Sequence, residues 1–167
     1  EALLKKIGDR YTDFWNKERR RKAAALGLTP AQVATIASIA DEETAKQDEK
    51  GRICRLYYNR LKKGMRLQAD PTVKYAIGDF SIKRIGGAML NSRSPYNTYR
   101  VKGLPPGPIR ITSPATIDAF LDSSPTDDIY MCARSDLSGY HDFTSDYSEH
   151  QANARRYQEK LNELDIR

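Results

Sequence analysis

Three consecutive acids, Asp41, Glu42 and Glu43, close an amphipathic stretch that opens at Thr29-Pro30-Ala31-Gln32. Thr is a favoured N-cap, Pro suits the first helical position, and Gln three residues after the cap completes a capping box. The stretch therefore reads as a helix running to about Thr44. At about 100° per residue, Val33, Ile36, Ala37 and Ala40 form its buried stripe. Glu42 falls opposite that stripe and is expected in water. Asp41 and Glu43 fall on its two borders, and the borders differ. One turn back from Glu43 lie Ile39 and Ala40, with Ile36 a further turn below; behind Asp41 lie Ala37 and Ser38. Apolar walls disfavour the ionised form, so Glu43 is the acid expected to hold its proton near neutral pH. A carboxyl in that state is the general acid that glycosidic cleavage needs. The plainer alternative is a solvated helix end carrying all three acids, and helical spacing alone leaves both readings open.

Downstream, polar, aromatic and Gly/Pro residues gather in segments that cannot be regular core. They are Met65-Arg66-Leu67-Gln68-Ala69-Asp70-Pro71-Thr72-Val73, Ser94-Pro95-Tyr96-Asn97-Thr98-Tyr99 and Gly103-Leu104-Pro105-Pro106-Gly107-Pro108-Ile109. Loops of this composition on a rigid scaffold are where recognition chemistry is displayed. Other chemistries are poorly served. His141 and His150 are the only histidines, and neither stands beside a Ser or Cys in a nucleophile motif. His141 reads as a strand or substrate-lining residue. No metal-ligand spacing, phosphate loop or dinucleotide glycine pattern is present, so no metal or cofactor is expected.

These groups need a frame. Residues 2–26 read as one charged amphipathic helix, with Leu3, Leu4, Ile7, Tyr11, Phe14 and Trp15 at helical spacing and Gly27 as its stop. After the helix that begins at Pro30, a third spans about 48–63, with Ile53, Leu56, Tyr57 and Leu61 on one face. From 65 to 111 the periodicity fails, and so long an irregular stretch in a compact domain is usually functional. A short helix over 114–122 follows Ser113-Pro114. Residues 129–133 read as a buried strand, Ser138-Gly139 as a turn, 140–143 as the returning strand and 147–164 as a closing helix. The fold class is α+β, a helix-rich single domain with a small β-hairpin. Within it, residues 1–28 form an N-terminal charged helical segment and 29–167 the main unit.

A chain of 167 residues suffices for one core of its own, and no apolar run is long enough to span a bilayer. The net charge of +6 favours anionic partners. Much of the excess lies at Lys5, Lys6, Arg10, Lys17, Arg19, Arg20, Arg21 and Lys22, which reads as a solvated helix face. Without a groove-reading motif, no nucleic-acid partner is expected. Cys54 and Cys132 read as small buried hydrophobes, with pairing left open.

The chain resembles the endolytic murein transglycosylase family (MltG, YceG-like) in register from about Val33 to Tyr157. The resemblance rests on Ala37-Ser38-Ile39 with Glu43-Thr44, on Tyr58-Asn59-Arg60-Leu61 leading through Gly64-Met65-Arg66-Leu67-Gln68 to Asp70-Pro71-Thr72-Val73, and on the two loops at 94–99 and 103–109. Gly139-Tyr140-His141-Asp142-Phe143 is similar to the family's glycine-histidine-phenylalanine hairpin. The resemblance implies a lysozyme-like active-site helix, with Glu43 as the catalytic acid and 29–167 as the catalytic domain. It implies cleavage of the β-1,4 bond between N-acetylmuramic acid and N-acetylglucosamine in peptidoglycan, leaving a 1,6-anhydro end. Glu43 would act first as acid and then as base. Asn59, Gln68, Asp70, Tyr96, Asn97 and Tyr99 are the expected substrate-binding residues, because amides and carboxylates hold sugar hydroxyls and tyrosine faces stack on pyranose rings. For Asn97 and Asp70, turn-making beside Pro95 and Pro71 is the competing reading. The family also implies a place in the cell envelope at the extracytoplasmic face, an inner-membrane anchor not seen in this chain, and contact with the cell-wall synthesis machinery. Ala40, Asp41 and Glu42 stand where the family usually has a bulky aliphatic, a glutamate and often a lysine. A glycan-binding module without catalysis is the rival from another class; it would not need Glu43.

Overall fold

Residues 1–165 are described by the structure, a computed structural model. The chain folds as α1 (Ala2–Phe14), α2 (Lys17–Ala25), α3 (Pro30–Glu43), α4 (Gln47–Lys62), α5 (Asp70–Ile77), a 3-10 turn (Gly87–Asn91), α6 (Pro114–Leu121), β1 (Tyr130–Ala133), β2 (His141–Thr144) and α7 (Tyr147–Glu163). Helices α3, α4 and α6 pack on one another, and α7 lies across the antiparallel hairpin β1–β2. The hairpin pairs Tyr130 with Thr144 and Ala133 with His141. Among the described residues, no single helix is long and apolar enough to cross a membrane.

Helix α3 begins as its residues dictate. The Thr29 hydroxyl accepts from Gln32 N, and the Gln32 side chain accepts from Thr29 N. Its stripe of Val33, Ile36, Ala37, Ile39 and Ala40 is fully buried, against Ile53, Leu56 and Phe120 of the neighbouring helices. Close contact between α4 and α6 requires Gly51: a Cβ there would lie 2.7 Å from the Ala119 carbonyl oxygen.

The structure corrects several expectations. The segment 2–26 is two helices, broken at Trp15-Asn16. Trp15 turns into the core, and Asn16 caps α2 by accepting from Arg19 N at 2.9 Å. A buried aromatic beside a strong N-cap residue outweighs the continuous helical spacing. The stretch 65–111 is not irregular throughout: Pro71 sits in the first turn of α5, which ends at Gly78 in the left-handed conformation. The basic cluster is partly spent inside the fold, because Arg19 pairs with Asp118 and Lys22 with Asp122, tying α2 to α6. Both cysteines are free thiols; Cys54 is buried as expected, whereas Cys132, on β1, is only half-buried. The strand β1, expected buried, is half-covered along its length.

Asp41 holds three elements together. Its carboxylate accepts from Lys50 Nζ of α4 at 2.9 Å, from Ser113 N at 2.9 Å and from Thr116 Oγ1 at 2.5 Å. Ser113 and Thr116 belong to the first turn of α6, whose unpaired amides favour a negative charge. Burial alone would raise this carboxyl, but the hydrogen bonds from Thr116, Ser113 and Lys50 outweigh it and hold it below the ordinary aspartate value. Asp41→Ala leaves Lys50 and the start of α6 without their acceptor. The expected loss is roughly 3–5 kcal/mol of unfolding free energy, measured by urea titration. Since the native value is depressed, the contribution is fully present above the unfolded value of 3.8 and fades as pH falls through the native one. The variant should lack that acid-limb loss.

Candidate active site

A cleft of about 380 Å³ opens between the C-terminal end of α3, helix α4, the segment before α5, the hairpin and α7. Glu43, Tyr57, Gln68, Asp70, Tyr99 and His141 line it. Glu43 is the last residue of α3, and the chain leaves in extended conformation at Thr44. A carboxylate at a helix C-terminus meets the negative end of the dipole, which disfavours ionisation. The side chain is half-buried and accepts a short hydrogen bond from the Tyr57 hydroxyl. Burial pushes the Glu43 carboxyl up to about 7; the Tyr57 hydroxyl opposes this, the Asp70 carboxylate adds to it, and His141 and Lys74 pull it back. The acid is therefore partly protonated near neutrality, where an ordinary glutamate is not.

The three acids of α3 have three different surroundings. Asp41 is knotted into the fold, and Glu42 leaves the cleft to pair with Arg110 Nη1 at 3.0 Å. Only Glu43 of the three faces the cleft. The helical spacing placed Glu42 away from the buried stripe, but it is half-buried in that ion pair and not freely solvated.

Asp70 opens α5, and its Oδ1 accepts from the Tyr99 hydroxyl at 2.5 Å across the cleft. Gln68 adopts φ 50, a conformation uncommon for a residue with a side chain. Its neighbours hold it there. Gln68 N donates to Thr98 O, Ala69 N donates to Thr98 Oγ1, and the Thr72 and Thr98 hydroxyls meet at 2.8 Å. This buried threonine pair fixes the segment before α5 against the 94–99 loop. Gln68 is thereby left exposed on the cleft wall.

Three expected substrate-binding residues lie outside the cleft lining. Asn59 donates from its amide to the backbone oxygens of Thr126 and Asp128, bracing the connection into β1. Asn97 is fully buried; its amide donates to Leu90 O and Ser92 O, and its oxygen accepts from Tyr99 N. Turn-making is thus what Asn97 does in this fold, and it sets the position of Tyr99. Tyr96 packs its ring on Tyr75, with centroids 4.6 Å apart. Gln68, Asp70 and Tyr99 share the cleft with Glu43.

Tyr57 and Glu49 were not singled out by sequence reasoning. Tyr57 sits on the apolar face of α4, so spacing assigns it to the core, which it joins while its hydroxyl reaches Glu43. The available signal was general: a buried tyrosine hydroxyl needs a polar partner. Glu49 is buried in the first turn of α4 and accepts from both His141 N and His141 Nδ1.

The YceG-like family model matches residues 1–156. The endolytic murein transglycosylase of Bacillus subtilis is 34% identical over 163 residues, 98% of this chain and 43% of its own length. That of Streptococcus pneumoniae (D39) is 34% identical over 110 residues, 64% of this chain and 20% of its own length. A crystal structure of a YceG-like protein from Listeria monocytogenes superposes with a TM-score of 0.72 at 33% identity, over 81% of this chain and 43% of that one. The chain thus spans less than half the length of these relatives.

The raised Glu43 carboxyl has a thermodynamic signature. A native value of about 7 against 4.5 when unfolded means that the folded chain binds this proton more tightly. The resulting stability is full below 4.5 and is lost as pH rises through about 7. Glu43→Gln cannot ionise, so its unfolding free energy should rise relative to the parent across that window, read by urea titration at several pH values. In Tyr57→Phe the carboxylate loses its donor. The Glu43 titration, followed by carbon NMR of the carboxyl, should then move further up.

Proposed function

Because the chain belongs to the YceG-like family, we propose that it is the catalytic domain of a lytic transglycosylase acting on peptidoglycan glycan strands. The single observation that carries this is Glu43, a carboxyl held up to about 7 and opening into a cleft with Asp70, Tyr99 and Gln68 on its walls. The relatives named endolytic murein transglycosylase support the substrate class. The bond cut is the β-1,4 link from N-acetylmuramic acid to N-acetylglucosamine, and the product ends in 1,6-anhydro-N-acetylmuramic acid.

Glu43 donates its proton to the glycosidic oxygen as the bond from that oxygen to the muramyl anomeric carbon breaks. Positive charge then builds on the sugar, and the Asp70 carboxylate and the newly ionised Glu43 both stabilise it. The sugar's own 6-hydroxyl attacks the anomeric carbon and gives its proton to the Glu43 carboxylate as the new bond closes, which restores the acid. No water is consumed, and tethering gives this nucleophile the entropic advantage of an intramolecular reaction. Ordinary glycosidases use a second carboxylate to attack or to activate water. Here the second carboxylate in the cleft, Asp70, is engaged by the Tyr99 hydroxyl, which favours the internal attack. In the whole protein the domain works at the extracytoplasmic face of the inner membrane, held there by an anchor and serving the cell-wall synthesis machinery.

Glu43→Gln should abolish cleavage of purified glycan strands while the folded signal in circular dichroism is kept, because an amide has no acid proton to give. Glu42→Gln should retain activity within a small factor. Full activity in Glu43→Gln would overturn the assignment. Mass spectrometry of the parent's products should show termini lighter by one water than hydrolytic ones. Borohydride-reducible muramic acid as the main new end would instead assign water as nucleophile, with Asp70 as its activator.

A further inference from the structure

Tyr99 borders two spaces. Its hydroxyl meets Asp70 in the Glu43 cleft, and the residue also lines a second, more open hollow of about 580 Å³ with Arg66, Asn91, Arg93 and Arg100. The same pair of segments builds both. Gln68 faces the cleft, and Arg66, two positions earlier, faces the hollow. Across from them, Tyr99 is shared and Arg100 belongs to the hollow. Hydrogen bonds hold the segments side by side: Gln68 N donates to Thr98 O, and Arg66 Nε donates to Arg100 O at 3.1 Å. A group seated in the hollow is therefore one side chain away from a ligand in the cleft.

The hollow carries one sign of charge. Arg66, Arg93 and Arg100 are all exposed, and among the described residues none of them forms an ion pair. Between residues 65 and 102 the only acids are Asp70 and Asp79. Asp70 is taken by the Tyr99 hydroxyl, and Asp79 by the amide and hydroxyl of Ser81. Arginines elsewhere on the surface do find carboxylates: Arg52 lies 2.8 Å from Asp128, and Arg110 lies 3.0 Å from Glu42. Inside the cleft Arg60 continues the positive field. It is only 8% exposed, and its Nε and Nη1 donate to the carbonyls of Ile129 and Arg66 rather than to a carboxylate. Like charges gathered without counter-ions repel one another, and a wall of one sign draws in an anionic ligand.

We propose that Arg66, Arg93 and Arg100 form an anion subsite, joined to the Glu43 cleft past Tyr99, that takes the carboxylates of the peptide stem on a glycan strand. This rests on the glycan-cleaving reading of the Glu43 cleft and narrows its substrate to strands that still carry their stems. Sugar hydroxyls and N-acetyl groups are neutral and need no guanidinium. Carboxylates are what the planar guanidinium fork matches, through two parallel N–H bonds. On a stem-bearing strand the free carboxylates belong to the peptide, which branches from the lactyl group of the muramyl ring. That ring is the one whose bond is cut, so the branch leaves the strand beside the cleft. The cleft then holds sugars and the hollow holds the acidic branch. No bond is made or broken in the hollow, and its arginines act on binding alone.

The test uses the double variant Arg93→Gln with Arg100→Gln, two exposed positions, checked for folding by circular dichroism. Glycan strands of one length are compared in three forms: with stems, with the stem carboxylates blocked by carbodiimide-coupled methylamine, and with the stems removed by an amidase. On stem-bearing strands the variant should raise KM about tenfold with kcat nearly unchanged, the loss expected for exposed charge-assisted contacts. Blocking the carboxylates should raise the parent's KM to the variant's level and abolish the difference between them. Added salt should raise the parent's KM on stem-bearing strands more steeply than the variant's. The proposal is overturned if the variant's KM on those strands stays within about twofold of the parent's, a difference too small for a lost ionic contact. It is equally overturned if the rise is as large on blocked strands, which would make the arginines contacts to sugar. A rise as large on stem-free strands would assign the muramyl lactyl carboxylate as the ligand and overturn the stem. A parent that cuts none of the three overturns the functional reading, and this inference with it; an active parent with an insensitive variant overturns this inference alone.

Discussion

Two of the three carboxylates in the last turn of α3, Asp41 and Glu43, are treated in opposite ways, and the fold is organised around that difference. Asp41 is given a full set of donors, so its charge is stable inside the protein and joins α3, α4 and α6 at one point. Glu43 is given one donor, from Tyr57, and a neighbouring negative charge from Asp70. Desolvation is costly for both, and the number of donors decides which form each adopts. The knot at Asp41 also fixes where the helix ends, and thus where the Glu43 carboxyl enters the cleft.

Much of this was legible locally. The cap at Thr29, the apolar stripe and the unequal borders at Asp41 and Glu43 depend on residues within a few turns of one helix, where spacing carries the information. The hairpin and the closing helix were legible for the same reason. What escaped was set by contacts far apart in the chain. Helical spacing between Phe14 and Asn16 is unbroken, yet burial of Trp15 and capping by Asn16 divide the helix. Tyr57 reads as core by its spacing, and only the fold brings its hydroxyl to a residue 14 positions earlier.

The polar loop residues show where composition is ambiguous. Asn, Asp and Tyr in a loop serve equally well to hold a ligand or to hold the loop. Asn97 uses all of its amide on backbone groups, and Asn59 satisfies carbonyls in a connection that has no strand ladder of its own. Gln68, Asp70 and Tyr99 are set on the cleft wall by work done elsewhere, by the Thr72–Thr98 pair and by Asn97 itself. The motif that carries the family likeness therefore mixes groups that face the cleft with groups that shape its wall.

Gly51 adds a mechanical consequence. The α4–α6 seam is so narrow at this point that even a methyl group would press on the Ala119 carbonyl. Ala119 lies on the same short helix as Thr116, and Lys50 is the chain neighbour of Gly51. A wedge driven in here would spread the two arms that grip Asp41, so the missing side chain acts as the clearance of a clamp whose jaws close on α3. Tolerance at position 51 is thus governed by the alignment of a helix whose far end carries the cleft acid.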